Sequence, residues 1–124
     1  REAVVDLEVS GPLGQRQPIK AVIDTGFNGY LTLPGASVTA IDLTFAGNRL
    51  GTLADGSVTV LDVYLASVVW HGREREVLIT QTAGSPLVGM SLLEGSQLSL
   101  IVVEGGELNI TELPLPPTTL VNGH

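Results

Sequence analysis

The sequence predicts an all-β domain, and three observations carry that expectation. Apolar residues make up 44% of the 124 residues and charged residues only 15%, the balance of a folded chain. Aromatic residues amount to 4%, so the core must rest on Val, Leu and Ile, which suit strands. Fifteen Gly and seven Pro cut the chain into short pieces, each long enough for a strand and too short for a long helix. The length fits one domain with a modest core.

The elements follow in order. Ala3–Val9 alternates Val5, Leu7 and Val9 with Asp6 and Glu8, the pattern of a half-buried strand. Gly11-Pro12-Leu13-Gly14 is a turn. Pro18–Ile23 is a second strand that runs into Asp24-Thr25-Gly26. Tyr30–Leu33 is a short third strand, stopped by Pro34-Gly35. Ala36–Ile41 has room for a helical turn or two, but its periodicity is too short to decide. Arg49–Leu53 and Val58–Val69 form a long hairpin around Asp55-Gly56, since Asp-Gly between apolar residues is a strong hairpin signal. The alternation slips near Val60-Leu61, which predicts a bulge there. Glu76–Thr80 is a further strand after the His71-Gly72 turn. Met90–Glu94 is a short helix ended by Gly95. Gln97–Val103 and Glu107–Thr111 form a closing hairpin, and prolines at 114, 116 and 117 make the tail extended.

Charge and composition narrow the chemistry. The net charge of −7, with six scattered Lys and Arg, gives no basic surface for nucleic acid. With no cysteine there is no disulfide, thiolate metal site or cysteine nucleophile, which fits a reducing compartment. The apolar run Val63–Trp70 is too short to span a bilayer. Absence of a signal pattern makes the cytoplasm the default location, which a segment ahead of Arg1 would overturn. His71 sits in a turn and His124 is the last residue, so neither reads as a base or ligand, and no nucleophile-elbow pattern surrounds a Ser. Arg73-Glu74-Arg75-Glu76 reads as a solvated strand or turn edge and Gly105-Gly106 as a hairpin turn. Trp70 and Tyr64 belong to core or rim.

The informative segment is Ala21–Pro34, AVIDTGFNGYLTLP. An apolar strand delivers Asp24 to a tight turn, and Gly26 lets backbone N–H groups approach the carboxylate closely. Taken alone, the tripeptide also fits an Asp that merely caps a turn. Three further features stand in order after it. The Arg49–Val69 hairpin has Ala54-Asp55-Gly56-Ser57 at its tip. Leu87-Val88-Gly89 follows about sixty residues after the acid. Met90-Ser91-Leu92-Leu93 and the closing hairpin come last.

Acid loop, hairpin, apolar-apolar-Gly, short helix and last strands, in that order, resemble the retroviral-like aspartic peptidases over roughly residues 3–111. The segments DTGFNGYLTLP, LADGSVTV and PLVGMSLLEGSQLSL are most similar to the small single-domain bacterial and archaeal members. The resemblance implies a single-lobed acid-protease closed β-barrel with one short helix and a flap hairpin, spanning 1–112, with a proline-rich tail at 113–124. It implies Asp24 as the catalytic acid, supported by Thr25 and Gly26. It assigns Ala54, Asp55 and Gly56 to the flap and substrate, and Leu87, Val88 and Gly89 to the loop beside the active site. The chain departs from the retroviral pattern at Phe27, where that family has a small residue, at Asn28-Gly29, where it has acids, and at Met90, where it has Arg.

One Asp-Thr-Gly per chain implies a homodimer with the site on its two-fold axis, because this chemistry needs two carboxylates. The resemblance further implies an extended peptide substrate, no metal and no cofactor, with an optimum on the acid side where the pair keeps one proton. Ile23, Leu31, Val60 and Val88 are candidate pocket residues. Two other readings stand beside an active endopeptidase. One is a catalytically silent dimerisation or peptide-binding module with the same fold, which the intact Asp24-Thr25-Gly26 disfavours. The other is an unrelated monomeric β-barrel.

Overall fold

The computed structural model describes residues 2–52, 55–100 and 108–114. Strands β1 (Val4–Ser10) and β2 (Arg16–Ile23) form an antiparallel hairpin registered from Val4↔Val22 to Ser10↔Arg16. The alternation acts as expected: Leu7, Val9, Ile19 and Ala21 turn inward, while Asp6, Glu8 and Lys20 stay in solvent. Lys20 pairs with Asp6 at 2.9 Å and Arg16 with Glu8 at 2.8 Å on that outer face. Such exposed pairs contribute little to stability and mainly keep the face soluble.

Strand β3 (Leu31–Leu33) is buried at all three positions. It leads into helix α1 (Gly35–Ala40), which answers the question left open at 36–41. The helix starts at Pro34, whose carbonyl accepts from the N–H groups of Ser37 and Val38, and it buries Val38. Strands β4 (Thr44–Thr52), β5 (Val58–Trp70) and β6 (Arg73–Gln81) follow as an antiparallel meander. Then come β7 (Leu87–Val88), helix α2 (Met90–Leu93), β8 (Ser96–Leu100) and β9 (Leu108–Glu112).

Seven strands form one sheet in the order β1-β2-β7-β3-β6-β5-β4. Pairing of β1 with β5, at Val9↔Val68 and Ser10↔Ser67, closes that sheet into a ring. A closed sheet removes most free edges and encloses one core. Leu31, Leu33, Ile79, Val9, Val68, Val88 and Leu92 form its fully buried centre. The pair β8–β9 is a separate two-stranded sheet, laid against the ring through Ile110. Among the described residues no helix is long and apolar enough to cross a membrane.

The predicted bulge is displaced. Pairing is continuous at Val60↔Leu50 and Leu61↔Arg49, and the irregularity lies on the partner strand between Phe45 and Gly47. Gly47, with φ of 130°, takes the conformation that the extra residue requires. The slip in β5 has another cause. From Val63 onward the strand gains β6 as a second neighbour, and its burial pattern changes from that of an arm to that of a core strand. Strand β4 also begins at Thr44, earlier than its hydrophobicity indicated, because Thr44 and Phe45 pair with Leu65 and Tyr64. Arg73–Glu76 takes the strand alternative, as the start of β6, its backbone held by Trp70–Ser67 on β5. The connection from 101 to 107 and the tail beyond 114 lie outside the described residues.

Candidate active site

Asp24 follows the last residue of β2 and is half-buried. Its position is set by β7, a two-residue strand wedged between β2 and β3. Val22 and Ile23 pair with Leu87 and Val88 in parallel, while Leu31 and Thr32 pair with Val88 and Leu87 antiparallel. The backbone N–H of Asp24 donates to the Val88 carbonyl at 2.9 Å, so the acid is tied to a strand distant in sequence. On the other side, the Ile23 N–H donates to the Ala3 carbonyl at 2.8 Å.

The turn after the acid is held by the acid itself. The Gly26 N–H donates to Asp24 Oδ1 at 2.9 Å, and the Phe27 N–H donates to the Asp24 carbonyl at 3.1 Å. A donor aimed at a carboxylate oxygen fixes its orientation. A Cβ at Gly26 would lie 3.2 Å from Asp24 Oδ1, tight enough to disturb that contact. Thr25 stands exposed, with no hydrogen bond to its side chain among the described residues.

Gly89 is the second fixed point. Its φ of −106° is open to any residue, so its requirement is for space. A Cβ there would lie 2.2 Å from the Gly29 carbonyl oxygen and 2.5 Å from Phe27 Cδ2. Three N–H groups cross this contact: Gly89 to Tyr30 O at 3.0 Å, Met90 to Phe27 O at 2.7 Å, and Ser91 to Gly29 O at 3.1 Å. The start of α2 thereby caps the carbonyls of the acid loop.

The structure thus brings Asp24, Thr25 and Gly26 together with Leu87, Val88 and Gly89. It does not join them to the hairpin turn. Asp55 and Gly56 lie in that turn, and Ala54 lies outside the described residues. Gly56 has φ of 87°, as the turn needs. Asp55 Oδ1 accepts from the Ser57 N–H at 2.9 Å and the Ser57 hydroxyl at 2.6 Å. Those bonds, the hydroxyl first, hold the Asp55 carboxyl below its ordinary range. No hydrogen bond among the described residues links this turn to the acid loop. Among the described residues, the outer half of the hairpin, from Asn48↔Asp62 to Thr52↔Val58, has no third strand beside it. Leu50, Val58 and Val60 on this arm are more than 60% exposed.

Of the candidate pocket residues, Leu31 and Val88 are fully buried in the core and present no surface to a ligand, whereas Ile23 is half-buried and Val60 exposed. Sequence reasoning read Phe27 as part of the resemblance to the small members and as a departure from the retroviral pattern, with no packing role. Its ring fills the space above Gly29 and Gly89, and a Cβ at Gly29 would lie 2.4 Å from Phe27 Cζ. Two further supports escaped notice. The buried Thr32 hydroxyl accepts the Leu87 N–H at 2.9 Å, and the Ser91 hydroxyl donates to the Asn28 carbonyl. The glycines flanking Phe27 were the available signal for its packing. The two hydroxyls left none, because both contacts span more than fifty residues. Among the described residues no group of three or more His, Asp or Glu side chains converges as a metal site would.

The sequence matches no known protein-family profile and no curated protein. Its fold does match solved structures. The solution structure of simian foamy virus (mac) protease superposes with a TM-score of 0.54 at 21% identity, over 73% of this chain and 91% of the viral one. EIAV protease in complex with the inhibitor HBY-793 superposes with a TM-score of 0.56 at 14% identity, over 76% and 86%. The chain therefore has the retroviral protease fold.

Proposed function

We propose that the protein is a homodimeric aspartic endopeptidase in which Asp24 and the partner's Asp24 activate one water molecule. The observation that carries this reading is the acid loop itself. An Asp at a strand end, its carboxylate held by the Gly26 N–H and its backbone N–H by the Val88 carbonyl, stands in a chain with the retroviral protease fold. Each chain supplies one such acid, so the catalytic pair requires a two-fold axis beside Asp24. The exposed Thr25 hydroxyl is free to bond across that axis.

Two carboxylates a few ångströms apart cannot both ionise easily, so the pair shares a proton and titrates as a unit. The ionised member takes a proton from water as it attacks the scissile carbonyl. The protonated member polarises that carbonyl and then helps protonate the leaving amine. An extended peptide suits the site, laid as an added strand beneath the β4–β5 arm. The exposed Leu50, Val58 and Val60 give that arm an apolar surface for such a substrate.

The test is cleavage of a mixed peptide library between about pH 4 and pH 7. Wild type runs beside Asp24→Asn, with and without a statine-type transition-state inhibitor. The expected result is a fall of about a thousand-fold or more on mutation, with the fold unchanged, and inhibition of the wild type. An Asp24→Asn protein that still cleaves refutes the mechanism. A folded dimer that cleaves nothing favours a silent peptide-binding module.

A further inference from the structure

We infer that the cleft between the β5–β6 turn and the β8–β9 hairpin binds a short free peptide with apolar side chains, held by its two charged ends. The cleft has a volume of about 490 Å³, within the range of about 300–1,000 Å³ typical of small-ligand sites. None of its lining residues belongs to the acid loop, and its use does not depend on how Asp24 acts.

Strand register builds one wall. Arg73-Glu74-Arg75-Glu76 alternates in charge, so a strand sends the two signs to opposite faces. Arg73 stands opposite Trp70, and Arg75 opposite Val68. Directly opposed residues of an antiparallel pair share a face. Trp70 is 8% exposed and Val68 is fully buried, so both arginines belong to the inward face, and both line the cleft. Glu74 and Glu76 take the outer face, opposite Val69 and Ser67. Glu74 borders the cleft and has Arg16 at 4.0 Å.

Several polar groups of the cleft already have partners. Arg73 pairs with Glu112 of β9, and His71 Nε2 lies 2.8 Å from the Ser96 hydroxyl oxygen. Two opposite charges are left over. Arg75 has no ion pair among the described residues, and its guanidinium is held 5.3 Å from the centre of the Tyr30 ring. Glu94, at the end of α2, has no ion pair among them either. The two line one cleft without pairing to each other. Trp70, Leu113 and Pro114 add apolar wall, Leu113 being 46% exposed. A lone anion would answer Arg75 and meet repulsion from Glu94, and a lone cation would do the reverse. A short peptide answers both, with its carboxylate on the Arg75 fork, its ammonium on Glu94 and its apolar side chains on the remaining wall.

Trp70 is the one tryptophan of the chain and lines the cleft, so its fluorescence reports occupancy. The probe is the dipeptide leucyl-leucine, which is expected to change that fluorescence saturably below about 10 mM. Amidating its carboxylate or acetylating its amine is expected to weaken binding about ten-fold in each case, the loss of one charge-assisted contact. Arg75→Gln is expected to cost the same factor with the free dipeptide and nothing further with the amide. Glu94→Gln is expected to cost it with the free dipeptide and nothing further with the acetylated form. Asp24→Asn is expected to bind as the wild type does. No saturable change below about 10 mM overturns the proposal. Equal binding of the free, amidated and acetylated dipeptides by the wild type also overturns it, a result that requires no variant to fold. Loss of binding in Asp24→Asn puts the peptide at the acid loop, which overturns the cleft and leaves the proposed peptidase standing.

Discussion

Replacing Gly89 by Ala adds one methyl group at the most crowded point of the candidate site. The backbone can accept it, since φ is −106° and ψ is 178°. The surroundings cannot. The new Cβ would meet the Gly29 oxygen at 2.2 Å, Phe27 Cδ2 at 2.5 Å and the Phe27 oxygen at 2.7 Å. Two of these atoms are backbone, so relief requires β7 and the acid loop to move apart. Overpacking of this kind costs about 1–3 kcal/mol. Separation also stretches the bonds from Gly89, Met90 and Ser91 to the loop, each worth about 1 kcal/mol. A loss of about 3 kcal/mol lowers Tm by about 12 °C in a domain of this size. Gly84→Ala is the control, because a Cβ there meets nothing within 4 Å, and its effect should stay within about 0.5 kcal/mol. Thermal unfolding followed by circular dichroism compares the two directly. Equal melting temperatures would refute the claim that Gly89 is required for space.

Other outcomes follow from the same geometry. Thr32→Val keeps the shape of the side chain but leaves the Leu87 N–H without its buried acceptor, which should cost about 1–3 kcal/mol, read as a fall in denaturation midpoint. Ser57→Ala removes the hydroxyl that holds the Asp55 carboxyl low, so Asp55 should titrate closer to its ordinary value of 3.8 in carboxyl NMR. The sign is that of a depressed acid: the bond stabilises the turn above the ordinary value and is lost as pH falls through the folded-state value. Because Asp55 is fully exposed, global stability should not change measurably.

Much of this architecture was legible because it is local. Alternation marked β1, a Gly-Pro turn separated it from β2, and Asp55-Gly56 marked the hairpin. The acid loop was legible for the same reason, since Asp24, its supporting Gly26 and the strand before it are contiguous. These features depend on neighbours one to four residues apart, which a sequence displays directly. Tertiary structure alone decided the rest. It placed β7 parallel to one strand and antiparallel to another, with Thr32 completing the hydrogen bonding of Leu87 across 55 residues. It moved the bulge from β5 to β4, removed Leu31 and Val88 from any surface, and gave Phe27 the packing role that makes Gly29 and Gly89 necessary. In each case the deciding contact lies between segments distant in sequence. Periodicity shows that a face will be buried, but not which distant face will cover it.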